Sequence, residues 1–403
     1  MGIYSSPAET RDFLDKLGSN PFFVYDMDGN ACIGYKLAEG RELPLAPTDN
    51  PKNQSIPFGL TRAQLDALVA DGTLVENIFA GKTMDVRLPQ PLVNFVNRCE
   101  EEGEPFKIAF LTSRSEFEAK KILQESGVQN VDAVTLIADS GAVLNIRGEQ
   151  TILRPLTSAE EDYRSLMTLI AKSAQPEVDD IVRRHMGTDA PTPELYVEHK
   201  GIASNIHWRS ILEANGQGDE SALDHEIGAI LRKRVIELSK SSPLENDKPV
   251  FKHLDGPATV ELKIDSVNKG IGLSILMDAA AAHSNRPTAF VFSGDDYSKG
   301  NGQPGTDYFA AMQTDAISLK HGIPGYNVLT LHPKGSDINE IEPELSRTLD
   351  TLNPDYERPP VHLVVRTPRE NGELVLKAHG QPLICERAPF VGKPDRAPIA
   401  AFS

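Results

Sequence analysis

Cysteine is scarce in this 403-residue chain: Cys32, Cys99 and Cys385 are the only three, and no two form a CxxC pair. Neither a disulfide framework nor a zinc site is indicated, and a reducing compartment is the default. Long apolar runs are also missing. No stretch approaches the ~20 residues of a membrane span, and the N-terminus lacks the basic-then-apolar order of a secretory signal. A cytoplasmic protein is the expectation. Positive charge is in the minority, with 41 Lys and Arg against 58 acids and a formal net charge of −17. That field repels a polyanion, so nucleic acid is not an expected partner. Small anions stay admissible, because a metal or a few local cations can reverse the field inside a cleft. Repeats and low-complexity tracts are absent. Two short patterns carry little weight: Met1-Gly2-Ile3-Tyr4-Ser5-Ser6 formally matches a myristoylation signal, and Asn53-Gln54-Ser55 is a sequon that matters only with secretion.

What is present begins with Phe22-Phe23-Val24-Tyr25-Asp26-Met27-Asp28-Gly29. An apolar run reads as a buried strand, and Gly29 lets the chain turn away from it. Two acids one residue apart at a strand end repel each other unless a cation stands between them. The pair suits a hard metal ion or paired nucleophile and acid chemistry, although an ordinary Asp-Gly turn has the same look.

Three further apolar runs end in small or acidic residues: Ile108–Leu111 before Thr112, Val134–Ala138 before Asp139, and Ala289–Phe292 before Ser293. Such runs suit strands buried on both faces of a parallel sheet. Helical patterns lie between them, Pro91 to Glu102 and Glu116 to Ser126, each with a glycine stop. The alternation predicts an open α/β sheet with its site at the carboxyl ends of the strands.

Residues from about 147 to 266 follow another rhythm. Thr157-Ser158-Ala159-Glu160 opens a helix expected to run to about Ala174. Strands are expected over Tyr196–Lys200 and Ser204–Arg209, a helix from Asp219 to Lys240, and a hairpin of Val250–Leu254 and Thr259–Ile264 about Asp255-Gly256. This predicts a small α/β domain inserted into the first. The division is then a core over 1–146 with an insertion at 31–90, the inserted domain over 147–266, the core's second part over 267–350, and a C-terminal extension over 351–403. One helix is expected in the insertion, from Thr61 to Asp71-Gly72. A hairpin of Val361–Arg366 and Glu373–Ala378 is expected in the extension.

Four clusters sit where chemistry would gather: Asp26 with Asp28; Thr112-Ser113-Arg114; Asn268-Lys269-Gly270 at a helix start; and Gly294-Asp295-Asp296 followed by Thr306-Asp307. Their order and spacing resemble the four motifs of the haloacid dehalogenase superfamily of phosphatases. The details look most like its trehalose-6-phosphate phosphatase branch. Leu136 to Ala142, Val260-Glu261-Leu262-Lys263, Val197-Glu198-His199-Lys200-Gly201 and Ile206-His207-Trp208-Arg209 resemble further stretches of that branch, and the likeness covers residues 20–30 and 105–325. The resemblance implies a Rossmannoid parallel-sheet core with an inserted α/β cap of the C2 type, and a Mg²⁺-dependent sugar-phosphate phosphatase. Asp26 would be the nucleophile that forms an aspartyl-phosphate, and Asp28 the proton shuttle. Thr112 would hydrogen-bond the phosphate and Lys269 neutralise it. Mg²⁺ would sit on Asp26, the backbone carbonyl of Asp28, and Asp295, with Asp296 and Asp307 orienting the groups around it. Arg114, Glu198, Lys200, His207 and Arg209 would bind substrate. By strand alternation Glu198 and Lys200 share one face, and Asn205, His207 and Arg209 another.

The departures from the pattern are Asn30, Ser113 and Ser140, where the family has Thr, Gly and His, and the two insertions. Gly300 to Gly305 fits GxGxxG but neither follows a strand directly nor opens a helix, and Pro304 removes a donor. Two other readings stand beside hydrolysis. An idle relative would bind a ligand without turnover, and a phosphomutase would use the same aspartyl-phosphate.

Overall fold

The computed structural model describes residues 7–38, 41, 60–76, 85–218, 221–256, 258–298, 304–330, 356–365 and 367–381. The N-terminal acylation pattern, the sequon, Cys385 and the Pro-rich tail lie outside the described residues, as does most of the GxGxxG stretch.

Helix α1 (Pro7–Leu17) leads into strand β1 (Pro21–Asp26), buried along its whole length, and then a single π-helical turn over Met27–Ala31. In the long insertion, β2 (Ile33–Leu37), β3 (Leu74–Glu76) and β4 (Asp85–Arg87) pair as a small antiparallel sheet. Helix α2 (Arg62–Ala70) sets Leu65 against Ile33, Tyr35 and Leu74 of that sheet, and its Thr61–Gln64 capping box forms as read. The chain then alternates: α3 (Gln90–Glu102), β5 (Ile108–Leu111), α4 (Glu116–Ser126), β6 (Leu136–Ala138). Strands β7 (Val143–Ile146) and β8 (Glu149–Ile152) turn back antiparallel.

Next come α5 (Ser158–Met186), β9 (Tyr196–His199), β10 (Ala203–His207), α6 (Arg209–Ala214), α7 (Ala222–Lys240), the short pair β11 (Leu244–Glu245) and β12 (Lys248–Pro249), β13 (Phe251–Gly256) and β14 (Thr259–Ile264). The remainder is α8 (Lys269–Ala282), β15 (Ala289–Gly294), α9 (Tyr308–His321), β16 (Gly325–Thr330), β17 (Leu363–Val365) and α10 (Pro368–Ala378).

The fold is α/β. One sheet has the order β17-β16-β15-β1-β5-β6-β7-β8, parallel from β17 through β6. A second, antiparallel sheet has the order β13-β14-β10-β9. Strands β8 and β17 belong to the large sheet, so residues 149–152 and 363–365 extend its two edges.

Alternation along β1 divides the core. Phe23 and Tyr25 face the side packed by α3 and α10, whereas Phe22 and Val24 face α8 and α9. The same parity sends Ser293 and Thr330 toward α10, since Val291 and Val328 lie on that side.

Four expectations fail in detail. Helix α5 does not stop near Ala174 but carries Pro176 in its interior and ends at Met186. Met167, Ala171 and Ala174 continue into buried Val178, Ile181 and Val182, and this apolar stripe outweighs the hydrogen bond that Pro176 removes. Residues 373–378 are helix, not a hairpin strand: Thr367 caps α10 by accepting from Glu370 N, and Pro368 takes the first turn. Arg209 does not continue β10; it is the first residue of α6, so it leaves the alternation that aligns Asn205 and His207. The hairpin β13–β14 forms, but Gly256 pairs with Thr259, so its turn falls two residues later than read.

Candidate active site

Asp26 ends β1 and Thr112 follows β5, and the two strands pair in register, Asp26 opposite Leu111. The carboxyl ends of β1, β5 and β15 therefore converge on one place. Asp26 is buried, and its Oδ1 caps the turn after it by accepting from Met27 N at 2.9 Å. Asn268 caps α8, which sets Lys269 in that helix's first turn. The Lys269 ammonium lies 2.8 Å from Asp26 Oδ1 and donates to Asp307 Oδ1 at 2.6 Å. All three side chains are buried. Burial alone would lower the lysine's pKa, but the charges of Asp26 and Asp307 outweigh it and raise it well above its ordinary value.

The second oxygen of Asp307 accepts from Asp295 N at 2.9 Å and Asp296 N at 3.1 Å. Asp296 in turn accepts from Thr306 N at 2.8 Å. Asp307 is thus spent on Lys269 and on holding the Asp295-Asp296 turn. Carboxylate oxygens of Asp26, Asp295 and Asp307 all lie within 4.8 Å of one another. Burial first, then the neighbouring acids, push the carboxyls of Asp26 and Asp295 well above the usual range. An all-oxygen donor set with excess negative charge fits a hard divalent cation such as Mg²⁺. Asp26 and Asp295 are the carboxylates to hold it, because both oxygens of Asp307 are already engaged.

Asp28 faces the other way. Arg114 Nε donates to both of its oxygens at 2.9 Å, and Nη2 donates to Oδ1 at 2.7 Å. Burial would raise the Asp28 carboxyl, but the Arg114 charge and hydrogen bonds prevail, with Lys269 and Lys200 adding to them, and lower it. The proton shuttle and one of the substrate ligands expected from sequence are thus paired with each other.

A turn at Asp139-Ser140-Gly141 ties these pieces together. All three residues have positive φ, of 49°, 56° and 103°, a conformation that costs non-glycine residues about 1–3 kcal/mol each. Asp139 N donates to Arg114 O and Ser140 N to Thr112 O. A Cβ at Gly141 would lie 2.2 Å from Asn268 O, so only glycine lets this turn rest on the start of α8. The Asp139 carboxyl accepts from the Gly201 backbone, and burial lifts it to about 6.

Gly201 lies in the turn between β9 and β10 of the second sheet. Its neighbour Lys200 reaches across, donating from Nζ to Ser113 O at 3.4 Å. Val260, Leu262 and Ile264 bury one face of β14, which leaves Glu261 and Lys263 on the other. Register aligns Glu198, Asn205 and Glu261 across β9, β10 and β14 on that face. His207 Nε2 lies 3.1 Å from Glu198 Oε2, and the Asn205 side-chain amide lies 3.4 Å from the same oxygen. Glu198, Lys200 and His207 therefore gather on one face, while Arg209 sits at the start of α6.

Sequence reasoning overlooked two residues here. Lys263 is 6% exposed and forms no ion pair among the described residues. Burial depresses its ammonium to about 8, against the pull of Glu261. Its signal was legible: a lysine at an alternate position of a strand whose other positions are apolar. Asn371 of α10 is fully buried under the Asp28-Gly29-Asn30 turn, and no local pattern marks it.

No protein-family model matches the sequence, nor does any curated protein. Among solved structures, the chain is similar to the C-terminal domain of Candida albicans trehalose-6-phosphate phosphatase, at 15% identity and TM-score 0.46 over 95% of this chain and 100% of that one. It is similar to Aspergillus fumigatus trehalose-6-phosphate phosphatase at 13% and 0.39 over 94% and 98%. The C-terminal domain of the Candida albicans trehalose synthase regulatory protein follows at 10% and 0.44 over 94% and 100%. Identities and TM-scores this low decide neither activity nor substrate.

Proposed function

We propose that this protein is a Mg²⁺-dependent phosphomonoesterase acting on a sugar phosphate, with trehalose 6-phosphate the first substrate to try. The observation that carries the reading is Lys269, held between Asp26 and Asp307 in a buried acidic cluster. An acid cluster with no catalytic use is costly, and removing one partner of a buried ion pair costs about 3–5 kcal/mol.

Phosphoryl transfer is governed by positioning and charge neutralisation, and the residues divide along those lines. Asp26 has one oxygen anchored by Met27 N and Lys269, which leaves Oδ2 to attack phosphorus and form the aspartyl-phosphate. Lys269 offsets charge on both nucleophile and phosphate. Thr112 offers a hydroxyl at the adjacent strand end. Mg²⁺, held by Asp26, Asp295 and the Asp28 backbone, would supply the remaining positive charge. Asp28 gives its proton to the leaving oxygen only once Arg114 lets go of it, and an incoming phosphate is the natural competitor for that guanidinium. Glu198, Asn205, His207, Lys200, Glu261 and Lys263 present donors and acceptors on one sheet face, the mixture that sugar hydroxyls require.

The purified protein with Mg²⁺, assayed against a panel of sugar phosphates, should release inorganic phosphate from at least one, and Asp26→Asn should abolish it. Release from none, or release that survives Asp26→Asn, overturns the reading. An isomerised sugar phosphate in place of free phosphate points to a mutase.

A further inference from the structure

Asn371 lies outside every motif that suggested a function, on helix α10 near the far end of the chain. Its side-chain amide nevertheless reaches the turn after β1 and the carboxyl ends of β15 and β16. Nδ2 lies 2.9 Å from Asn30 Oδ1, 2.8 Å from Ser293 Oγ, 3.3 Å from Thr330 Oγ1 and 3.4 Å from Asn30 O. The Asn30 side-chain amide also lies within hydrogen-bond distance of Ser293 Oγ, at 3.1 Å, and of Thr330 Oγ1, at 2.7 Å. From the neighbouring position on β1, Tyr25 donates through its hydroxyl to Asn371 O at 3.0 Å. Every one of these side chains is no more than 1% exposed.

Strand parity explains the convergence. Tyr25, Ser293 and Thr330 point to the α10 side of three adjacent strands, β1, β15 and β16. On β1 and β15 the residues just after them, Asp26 and Gly294-Asp295, belong to the reacting side. Asn371 is therefore tied to both flanks of the nucleophile, through Tyr25 before it and Asn30 after it. It also holds the residue two places before Asp295. Asn371 Oδ1 has no partner of its own among the described residues, so the network hangs on Nδ2, and removing that donor leaves several buried groups unpaired.

We propose that Asn371 is a positioning residue for the reaction. Through Asn30 and Ser293 on its side chain, and Tyr25 on its carbonyl, it sets the spacing between the turn that follows Asp26 and the strand end bearing Asp295, so α10 supports the active site. This rests on the function proposed above. Asn371 touches no reacting atom. Its effect is on the separation of Asp26 and Asp295, and so on Mg²⁺ affinity and on kcat rather than on substrate capture.

Asn371→Leu keeps the side chain's branching and heavy-atom count and removes its side-chain hydrogen bonds, leaving the Tyr25 bond to the backbone carbonyl in place. Leu374→Ala, on the same helix with its side chain in the apolar core, is the control for a purely structural role. Both variants are compared with the wild type by thermal unfolding, steady-state kinetics and calorimetric Mg²⁺ titration, well below the melting temperature. Asn371→Leu should lower kcat and weaken Mg²⁺ binding, each about tenfold or more, with KM within about twofold. Leu374→Ala should lower the melting temperature and leave kcat and Mg²⁺ affinity unchanged. Combining Asn371→Leu with Asn30→Ala should cost less than the sum of the two, because both belong to one hydrogen-bonded network. A folded Asn371→Leu protein with wild-type kcat and Mg²⁺ affinity overturns the proposal, as does a Leu374→Ala protein that loses as much of both. If the wild type hydrolyses no substrate, the functional reading falls, and the Mg²⁺ titration still decides whether Asn371 positions the acids.

Discussion

The Arg114 guanidinium is hydrogen-bonded to both oxygens of Asp28, at 2.7 to 2.9 Å, with the two side chains only partly shielded from solvent. A carboxylate held this way is kept ionised, which is the wrong state for protonating a leaving group. The pair therefore has to open for Asp28 to act as an acid.

Replacing Arg114 by glutamine removes the strongest of the influences that depress the Asp28 carboxyl, leaving only Lys269 and Lys200 to oppose the upward push of burial. The proton-donating form then survives to higher pH. The alkaline limb of the kcat/KM profile, which reports the free enzyme, should move upward in Arg114→Gln, while KM rises from the lost phosphate contact. An unshifted limb would remove Asp28 as the acid.

Lys263 tests whether the second sheet's polar face is kept for a ligand. Its folded-state pKa, about 8, lies below the ~10.4 of an unfolded lysine. Folding therefore opposes its charge, fully below pH 8 and not at all above about pH 10.5. Lys263→Met should be more stable than the wild type at pH 7, and this gain should fade as pH rises from 8 to 10.5. The same variant should lose about tenfold or more in kcat/KM if the ammonium meets substrate. A stability gain with full activity would make Lys263 a mere burial defect. Thermal unfolding across pH and steady-state kinetics give the two readings.

Mg²⁺ should stabilise the protein through Asp26 and Asp295. Both carboxyls are raised by burial and by like charges, so their ionised forms oppose folding at neutral pH until a cation joins them. Saturating Mg²⁺ should raise the melting temperature by several degrees, since a ligand at 100 times its Kd adds about 2.7 kcal/mol. Monovalent salt at equal ionic strength should not do this, and Asp295→Asn should abolish the effect. Equal shifts with both salts would argue against a specific site.

The contact between Asp139 and Gly201 joins the two sheets. The Asp139 carboxyl titrates near 6 in the folded protein and near 3.9 unfolded, so its penalty is full above pH 6 and gone below about pH 4. Asp139→Asn should stabilise the protein at pH 7 and confer no advantage at pH 4, as read from unfolding curves. In Gly201→Ala the new methyl would sit 2.9 Å from Asp139 Oδ2. The turn carrying Lys200 must then shift, so KM should rise more than kcat falls.

Much of the large sheet was legible in local sequence. Apolar runs at Phe22, Ile108 and Ala289 became buried strands because a strand covered on both faces needs continuous hydrophobicity. Gly103 and Gly127 stopped their helices because left-handed caps favour glycine. Where the reading failed, packing overruled a local signal, as at Pro176, or a signal was passed over, as with Thr367 before Pro368.

The sequence by itself determined which chemistry-bearing residues stand at strand and helix ends: Asp26, Thr112, Lys269 and Asp295 each follow or begin a strongly patterned element. Only the tertiary structure decided how they pair. Whether Arg114 serves substrate or Asp28, whether Asp307 is free for a metal or bound to Lys269, and that Asn371 lies beneath Asn30 all depend on contacts between residues far apart in the chain. Periodicity specifies which face of an element is buried. It carries no information on which distant side chain meets that face, and that is where the charges of this site are matched.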